Sequence, residues 1–334
     1  MKKVIGVGNA LTDILVTLPS EELLVQFGLP KGSMCLVDSD FQRRLMEHTA
    51  TFPRALSPGG SAANTIRAMA MLGAPVGVVA KVGRDETGDF YESALQKFGV
   101  ASVVLRGAAR SGVCVSLVSA DGERTMATHL GAALEMTAAE IEPGHFAGFD
   151  YLYLEGYLVQ NHDLIRHAAA TAKRCGLQVV IDLANFNVVE EHREFLYALV
   201  KEYVDIVFAN EDEARVFTGE SDPRRALKAI LPLCGLAIVK VGEKGAYICR
   251  EGGEAIHIGI LNPVHCIDTT GAGDYYAAGF LSGLCEGLSL HQCGTMGAIA
   301  AGKVIEVVGT TLGDETWQEI RRLVEEVKTE RTLF

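Results

Sequence analysis

The chain has 334 residues, 49% hydrophobic and 22% charged, with 30 lysines and arginines against 42 aspartates and glutamates and a formal charge of −12. That composition excludes a disordered, collagen-like or disulfide-scaffold chain and supplies enough material for one large α/β domain with a smaller appendage. The acidic surplus repels phosphate backbones and anionic lipid, so nucleic acid and membrane surfaces are excluded as bulk partners; a small anionic substrate, held by a local pocket of N–H groups, is not.

At the start, Met1-Lys2-Lys3 precedes VIGVGNALTD, and Asn9 and Asp13 interrupt the apolar run too early for a signal sequence, so Val4–Gly8 is expected as a first buried strand. Short apolar strands then alternate with segments of helical period. Val76–Val82, Tyr151–Glu155, Gln178–Asp182, Ile206–Ala209 and Leu236–Val241 read as strands; Ser61–Leu72, Thr87–Phe98 and His162–Cys175 read as helices, each closed by a glycine that accepts positive φ. The alternation predicts an α/β protein with a doubly wound, mostly parallel sheet flanked by helices. Two regions break it. Ile14–Leu18 with Met34–Val37, and Val103–Leu105 with Val113–Ser119 and Arg124–Thr128, are extended segments with no helix between them, and predict a small second β-sheet. They mark a candidate lid over residues 14–38 and 103–130. The tail adds strand-length runs at Gly245–Cys249 and Ala255–Ile258, then helices at Ala272–Cys285, Leu290–Val307 and Glu315–Glu330. No repeat or low-complexity linker divides residues 1–334, so a single domain is expected. No apolar stretch approaches transmembrane length. The eight cysteines show no C-x-x-C pair or ligand spacing, which points to reduced, mostly buried thiols in a cytoplasmic protein.

Asp268-Thr269-Thr270-Gly271-Ala272-Gly273-Asp274 follows an extended segment and opens a long apolar helix. Gly271 and Gly273 let a ligand approach the backbone, and the unpaired N–H groups of the helix start form an anion site. Asp274, in the first turn, is placed to accept a proton from an attacking hydroxyl. The same pattern also fits an ordinary helix start with a first-turn acid. Gly59-Gly60-Ser61-Ala62-Ala63-Asn64 puts bare amides and the Asn64 side chain at another helix mouth, suited to sugar hydroxyls, or else is a loop capped by Ser61. Asp13, just after the first strand, is a third candidate for binding neighbouring hydroxyls. Two motifs are decoys. Gly6-Val7-Gly8 lacks the third glycine and the following helix of a dinucleotide fingerprint. Gly297 to Lys303 matches a phosphate loop until Val304, which has no hydroxyl, and reads as mid-helix packing through small residues.

Asp13, Gly59-Gly60 with Asn64, and DTTGAGD together resemble, in order and spacing over nearly the whole chain, the ribokinase-like (PfkB) carbohydrate kinase family. Val82 to Gly88, Asn210-Glu211-Asp212-Glu213 and Lys240 to Gly245 extend the resemblance. It implies a ribokinase-like fold with a β-sheet lid, and ATP-dependent phosphoryl transfer to a primary alcohol with Mg2+. By that resemblance Asp274 is the base, Gly271, Ala272 and Gly273 form the anion hole, and Asp13, Gly59, Gly60 and Asn64 hold the sugar. Asn210 and Glu213 match an N-x-x-E motif that organises Mg2+ through water. The loop with Lys240, Gly242 and Gly245 lies against ATP, although many relatives carry Thr or Ser in place of Lys240. Asp268 and Thr270 fall at positions that bind a monovalent cation such as K+ in some relatives. The lid covers the site of a monomer or pairs with a second copy in a homodimer.

GNALTDIL, the lid residues Gly122 to Met126 with Leu130 to Ala133, and Glu155-Gly156-Tyr157-Leu158 resemble the adenosine-kinase branch of that family. Tyr157 and Met126, with Leu11, Met34, Val37 and Leu130, suit a purine by stacking and burial, and each also fits as a core residue. The expected acceptor is the ribose 5'-hydroxyl of adenosine or a related nucleoside. The alternatives are a sugar of the ribose, fructose or 2-keto-3-deoxygluconate type, or a non-catalytic sensor of nucleotide or sugar.

Overall fold

Near-continuous Val, Ile and Leu runs with no polar face mark strands buried on both sides. In the computed structural model, which describes residues 1–120, 123–260 and 265–329, these runs pair into one sheet. Its spatial order is Ile256–Ile258, Ala246–Arg250, Leu236–Lys240, Ile206–Asn210, Gln178–Asp182, Tyr151–Glu155, Val4–Val7, Val76–Val82 and Ala101–Arg106. From Leu236–Lys240 to Ala101–Arg106 every pairing is parallel, and the two strands at the other edge are antiparallel. Alternate residues feed two cores. Tyr153, Val180, Phe208 and Ile238 point into one, with the helices Ser61–Met71, Ala272–Cys285 and Leu290–Val304. Leu154, Ile181, Val207 and Val239 point into the other, with the helix His162–Arg174.

Chain order reverses around the first strand, which has Val76–Val82 on one side and Tyr151–Glu155 on the other. In open sheets of this kind the crevice beyond the carboxyl ends of such strands is where ligands bind. A second sheet follows from there. It runs Met34–Leu36, Arg124–His129, Gly112–Val118, Leu11–Thr17, Arg54–Gly59. One of its faces is closed by Leu24 and Leu45 of two short helices, over Ile14, Val16, Val115 and Leu117.

Three expectations need correction. Val103–Leu105 is not lid: after the helix Glu86–Lys97 it lies parallel to Val76–Val82 at the edge of the large sheet, so the second lid segment starts at Gly112. A helix, Glu22–Phe27, lies between Leu11–Thr17 and Met34–Leu36, where none was expected, and Arg54–Gly59 adds an edge strand, where Pro58 is tolerated. The helix expected to reach Val307 stops at Val304, which frees the following residues to turn back; Ile305 accepts the Ile267 and Asp268 amides, and Gly309 donates to Asp268. Gly122 and Glu330 lie outside the described residues. Among those described, no helix is long and apolar enough to cross a membrane, and all eight cysteines are free.

The small-residue stretch Gly297 to Lys303 is mid-helix, as read, and is backed by glycines from the neighbouring helix Ala272–Cys285. A Cβ on Gly279 would run into the Met296 carbonyl. Gly279→Ala should therefore push the two helices apart and lower stability by roughly 1–3 kcal/mol. Gly144→Ala, whose Cβ meets nothing within 4 Å, should change it by less than about 1 kcal/mol. Urea unfolding midpoints of the two variants test the contrast.

Candidate active site

Two helix starts meet in the crevice, and both begin on a glycine with positive φ. Gly60 (φ 92) precedes Ser61–Met71, and any Cβ there would strike the Asn9 carbonyl. Gly271 (φ 76) precedes Ala272–Cys285. Neither start has a side-chain cap; of the first-turn N–H groups, that of Ala62 donates to Glu155 and that of Ala272 to the Thr269 carbonyl. Asp274 joins them across more than two hundred residues of chain. Its Oδ1 accepts from Ser61 Oγ at 2.6 Å and its Oδ2 from Asn64 Nδ2 at 2.9 Å. Burial pushes its carboxyl up to about 6, the Ser61 and Asn64 hydrogen bonds pull the other way, and nearby Asp182 pushes further up. A largely buried first-turn acid, oriented by two donors and poised near neutrality, is suited to taking a proton from a bound hydroxyl.

Asn64 is itself held. Its Oδ1 accepts from Arg67 Nη2 at 3.1 Å and from Thr310 Oγ1 at 3.2 Å, which fixes its amide group toward Asp274. Arg67 is only 3% exposed and also donates to the carbonyls of Pro58 and Thr310. Sequence reasoning missed it; the available signal was a lone arginine on an apolar helix, one turn after Asn64. Glu155 was quoted only as part of a resemblance, yet it ties the first strand to the glycine helix. It accepts the Asn9 amide at 2.8 Å, Asn9 Nδ2 at 2.7 Å and the Ala62 amide at 2.9 Å. Burial raises it to about 7 against those three bonds.

Asp13 faces the same place from the lid. A Cβ on Gly59 would overlap its carboxylate. Burial lifts Asp13 to about 6, opposed by the Arg124 and Arg67 charges. Strand register puts Asp13, Cys114, Thr128 and Leu36 in one row of this face, and Leu15, Ser116, Met126 and Met34 in the next. Met34 and Leu36 are exposed and Met126 half-buried, so this face carries an open apolar patch two to three strands away from Asp13. Val37, expected with them, turns the other way into the lid's own core. Tyr157 is half-buried beneath, bordering a small cavity with Asn9 and Leu134.

Further along the crevice, Asn210 and Glu213 form a reciprocal helix cap. The Asn210 amide and Nδ2 donate to the two Glu213 oxygens at 2.8 and 2.7 Å, and the Glu213 amide donates back at 2.8 Å. Glu213 is raised to about 7, by burial first and then by Asp182. Lys240 donates to Asp182 at 2.7 Å. Burial lowers the lysine, but Asp182 and Glu213 more than offset it, so the ammonium is charged. Gly242 and Gly245 have positive φ, and a Cβ on Gly245 would collide with the Ile258 carbonyl, so the hairpin itself demands that glycine. Asp268 accepts from Arg124 at 2.6 Å, the Gly309 amide at 2.8 Å and the Thr270 amide at 2.9 Å. Burial raises it, and the Gly309, Thr270 and Arg124 interactions outweigh that and hold it below the usual carboxylate range. The carboxylate offered to a monovalent cation is thus occupied by a guanidinium. Among the described residues, no three acids, histidines or cysteines lie close enough to hold a metal ion unaided.

With this geometry in place, comparison with known proteins is direct. Residues 43–317 match the pfkB family of carbohydrate kinases. The chain is 28% identical to a 5-dehydro-2-deoxygluconokinase from Shouchella clausii, covering 88% of this chain and 94% of that protein. Among solved structures, an adenosine kinase from Sinorhizobium meliloti is 33% identical with a TM-score of 0.86, covering 96% of this chain and 99% of that one. A probable sugar kinase from Rhizobium etli is 31% identical with a TM-score of 0.87, covering 96% and 98%.

Asp274 holds its proton up to about pH 6 in the folded chain, against 3.8 for a free carboxyl. The folded state therefore binds more protons across that window, and it loses stability as pH rises through it. Asp274→Asn lacks this term. Its melting temperature relative to the parent should climb between about pH 4 and pH 7 and then level off. Differential scanning fluorimetry across that range reads it, and a difference that stays flat with pH would mean that Asp274 titrates as if in water.

Proposed function

The chain belongs to the pfkB family of carbohydrate kinases, and we propose that it transfers the γ-phosphoryl group of ATP to the 5'-hydroxyl of a purine nucleoside. The observation that carries the chemistry is Asp274, oriented by Ser61 and Asn64 in the first turn of a helix that has no side-chain cap. The observation that favours a nucleoside is the apolar lid patch of Met34, Leu36 and Met126 on the same face as Asp13.

In this reading Asp13 and the Gly59-Gly60 backbone bind the ribose hydroxyls, and the base rests on the lid patch with Tyr157 below. Asp274 takes the proton of the 5'-hydroxyl as its oxygen attacks the γ-phosphorus. The new P–O bond forms, the bond to the β-phosphate oxygen breaks, and ADP leaves with that electron pair. The Gly271–Gly273 amides hold the charge that accumulates on the transferring group. Asp182, Glu213 and Asp274 set three carboxylates around one ammonium, a charge surplus that suits a divalent cation. Mg2+ bound by the nucleotide phosphates, which needs few protein ligands, supplies charge neutralisation there. The lid excludes water, so that ATP is not hydrolysed.

A second reading, a keto-sugar or sugar-acid acceptor, is favoured by the 5-dehydro-2-deoxygluconokinase among the relatives. ADP release with Mg-ATP across adenosine, inosine, guanosine, cytidine, ribose, fructose, 2-keto-3-deoxygluconate and 5-dehydro-2-deoxygluconate separates the two. A purine nucleoside is expected to lead. A sugar in front overturns the acceptor and leaves the kinase intact. Asp274→Asn should still bind the acceptor but lose at least about a hundredfold in kcat, whereas unchanged turnover would remove it as the base. Met126→Ala should raise the KM of the preferred nucleoside about tenfold, the order expected for losing one buried apolar side chain, with kcat little changed.

A further inference from the structure

Lys240 closes the strand Leu236–Lys240 and pairs in register with Asn210; Asp182 closes the strand on the far side of Ile206–Asn210. The carboxyl ends of these parallel strands open on the crevice. The Lys240 ammonium lies 2.7 Å from Asp182 Oδ2 and 3.0 Å from where a Cβ of Gly273 would stand. It therefore touches the turn Gly271–Gly273 that opens the helix Ala272–Cys285. Both members of the pair are withdrawn from water, with side chains 15% and 5% exposed.

An ammonium has three donors, and only the bond to Asp182 uses one within hydrogen-bond distance among the described residues. The others remain for a ligand. Asp182 is also fixed from its second oxygen, which accepts the Ala184 amide at 3.0 Å. That bond comes with Ala184 in the left-handed region (φ 69), the one non-glycine residue there among those described. The backbone strain of that position is of the kind that surrounding structure sustains at functional sites.

We propose that Lys240 binds the γ-phosphoryl group of the nucleotide, donating to its oxygens from beside the Gly271–Gly273 amides while Asp182 keeps the ammonium charged and in place. This rests on the kinase reading above. Lys240 keeps its proton throughout; the proton of the acceptor hydroxyl goes to Asp274, and the lysine offers only positive charge and hydrogen bonds to oxygens that gain negative charge. A Thr or Ser at this position donates a single neutral hydrogen bond, so this chain places a full charge where many relatives of the family it resembles have none.

The test is a pair of calorimetric titrations with Mg·AMP-PNP and Mg·ADP, on the parent, Lys240→Met and Asp182→Asn/Lys240→Met. The double variant removes both charges, so no buried carboxylate is left unpaired, and its melting temperature checks folding. In both variants Mg·ADP should bind within about twofold of the parent, and Mg·AMP-PNP about tenfold or more weaker, the scale of one charge-assisted hydrogen bond. A double variant that keeps the parental preference for AMP-PNP over ADP makes the pair structural and overturns the proposal. Equal weakening of both nucleotides also overturns it, because the lysine would then act elsewhere on the nucleotide. The titration needs no acceptor. Loss of AMP-PNP preference in a protein that phosphorylates nothing in the acceptor panel would uphold Lys240 and sink the nucleoside reading; normal turnover with unchanged preference would do the reverse.

Discussion

The Asp274 carboxylate is drawn out of water between two helix starts, and the site is arranged around keeping it there. A buried carboxylate without donors is too unfavourable to persist in its charged form. Its donors, Ser61 and Asn64, come from a helix distant in sequence, so the glycine turn at Gly60 must bring that helix within hydrogen-bond reach. Asn64 can donate only if its amide is not free to flip, which is what Arg67 and Thr310 prevent. Glu155 then ties the end of the first strand to the same helix through Asn9 and Ala62. Each of these contacts has a fold-level purpose and a chemical one, and the two are not separable at this position.

An ion pair adds to the coupling of the lid to this arrangement, beside the Arg67 bond to the Pro58 carbonyl. Arg124, on a lid strand, meets Asp268, and Asp268 in turn accepts the Thr270 amide just before Gly271. With side chains 7% exposed on both partners, the pair is desolvated, and the Arg124 Nε has no partner of its own. The position of the small sheet and the geometry of the glycine turn are thus linked by a contact that breaks only at the expense of two buried charges. Lid and anion site form one mechanical unit for that reason.

Much of this was legible in the sequence where one physical rule dominates. Fully buried parallel strands read as unbroken apolar runs, and all six that were expected from such runs match to within one residue at either end. The two glycine motifs were legible because a backbone that must approach a ligand or a neighbouring carbonyl has few alternatives to glycine. What was not legible depends on partners far along the chain. Arg54–Gly59 is polar and holds a proline, and only its pairing with Leu11–Thr17 makes it a strand. Val103–Leu105 looks the same in sequence whether it joins a hairpin or extends a parallel edge. Arg67, Glu155 and Asp182 carry no local motif, and their roles come from what the fold sets against them. Asn210 and Glu213 show the converse: the spacing was read for its chemistry, and the same spacing also specifies a helix cap.

To hold the proposed nucleotide, a chain of net charge −12 must reverse its own field locally. It does so without a broad basic patch. The amides of two helix starts supply partial charge, and Lys240 supplies an ammonium anchored by Asp182. Burial, helped by neighbouring carboxylates, shifts Asp13, Glu155, Glu213 and Asp274 upward toward neutrality. Carboxylates so placed are stabilised in their charged form by a bound cation or by a substrate that donates hydrogen bonds to them. The polyphosphate and its cation answer the two halves of that imbalance together: negative oxygens for the amides and the ammonium, positive charge for the surplus carboxylates. A bare triphosphate or a bare metal ion would satisfy only one.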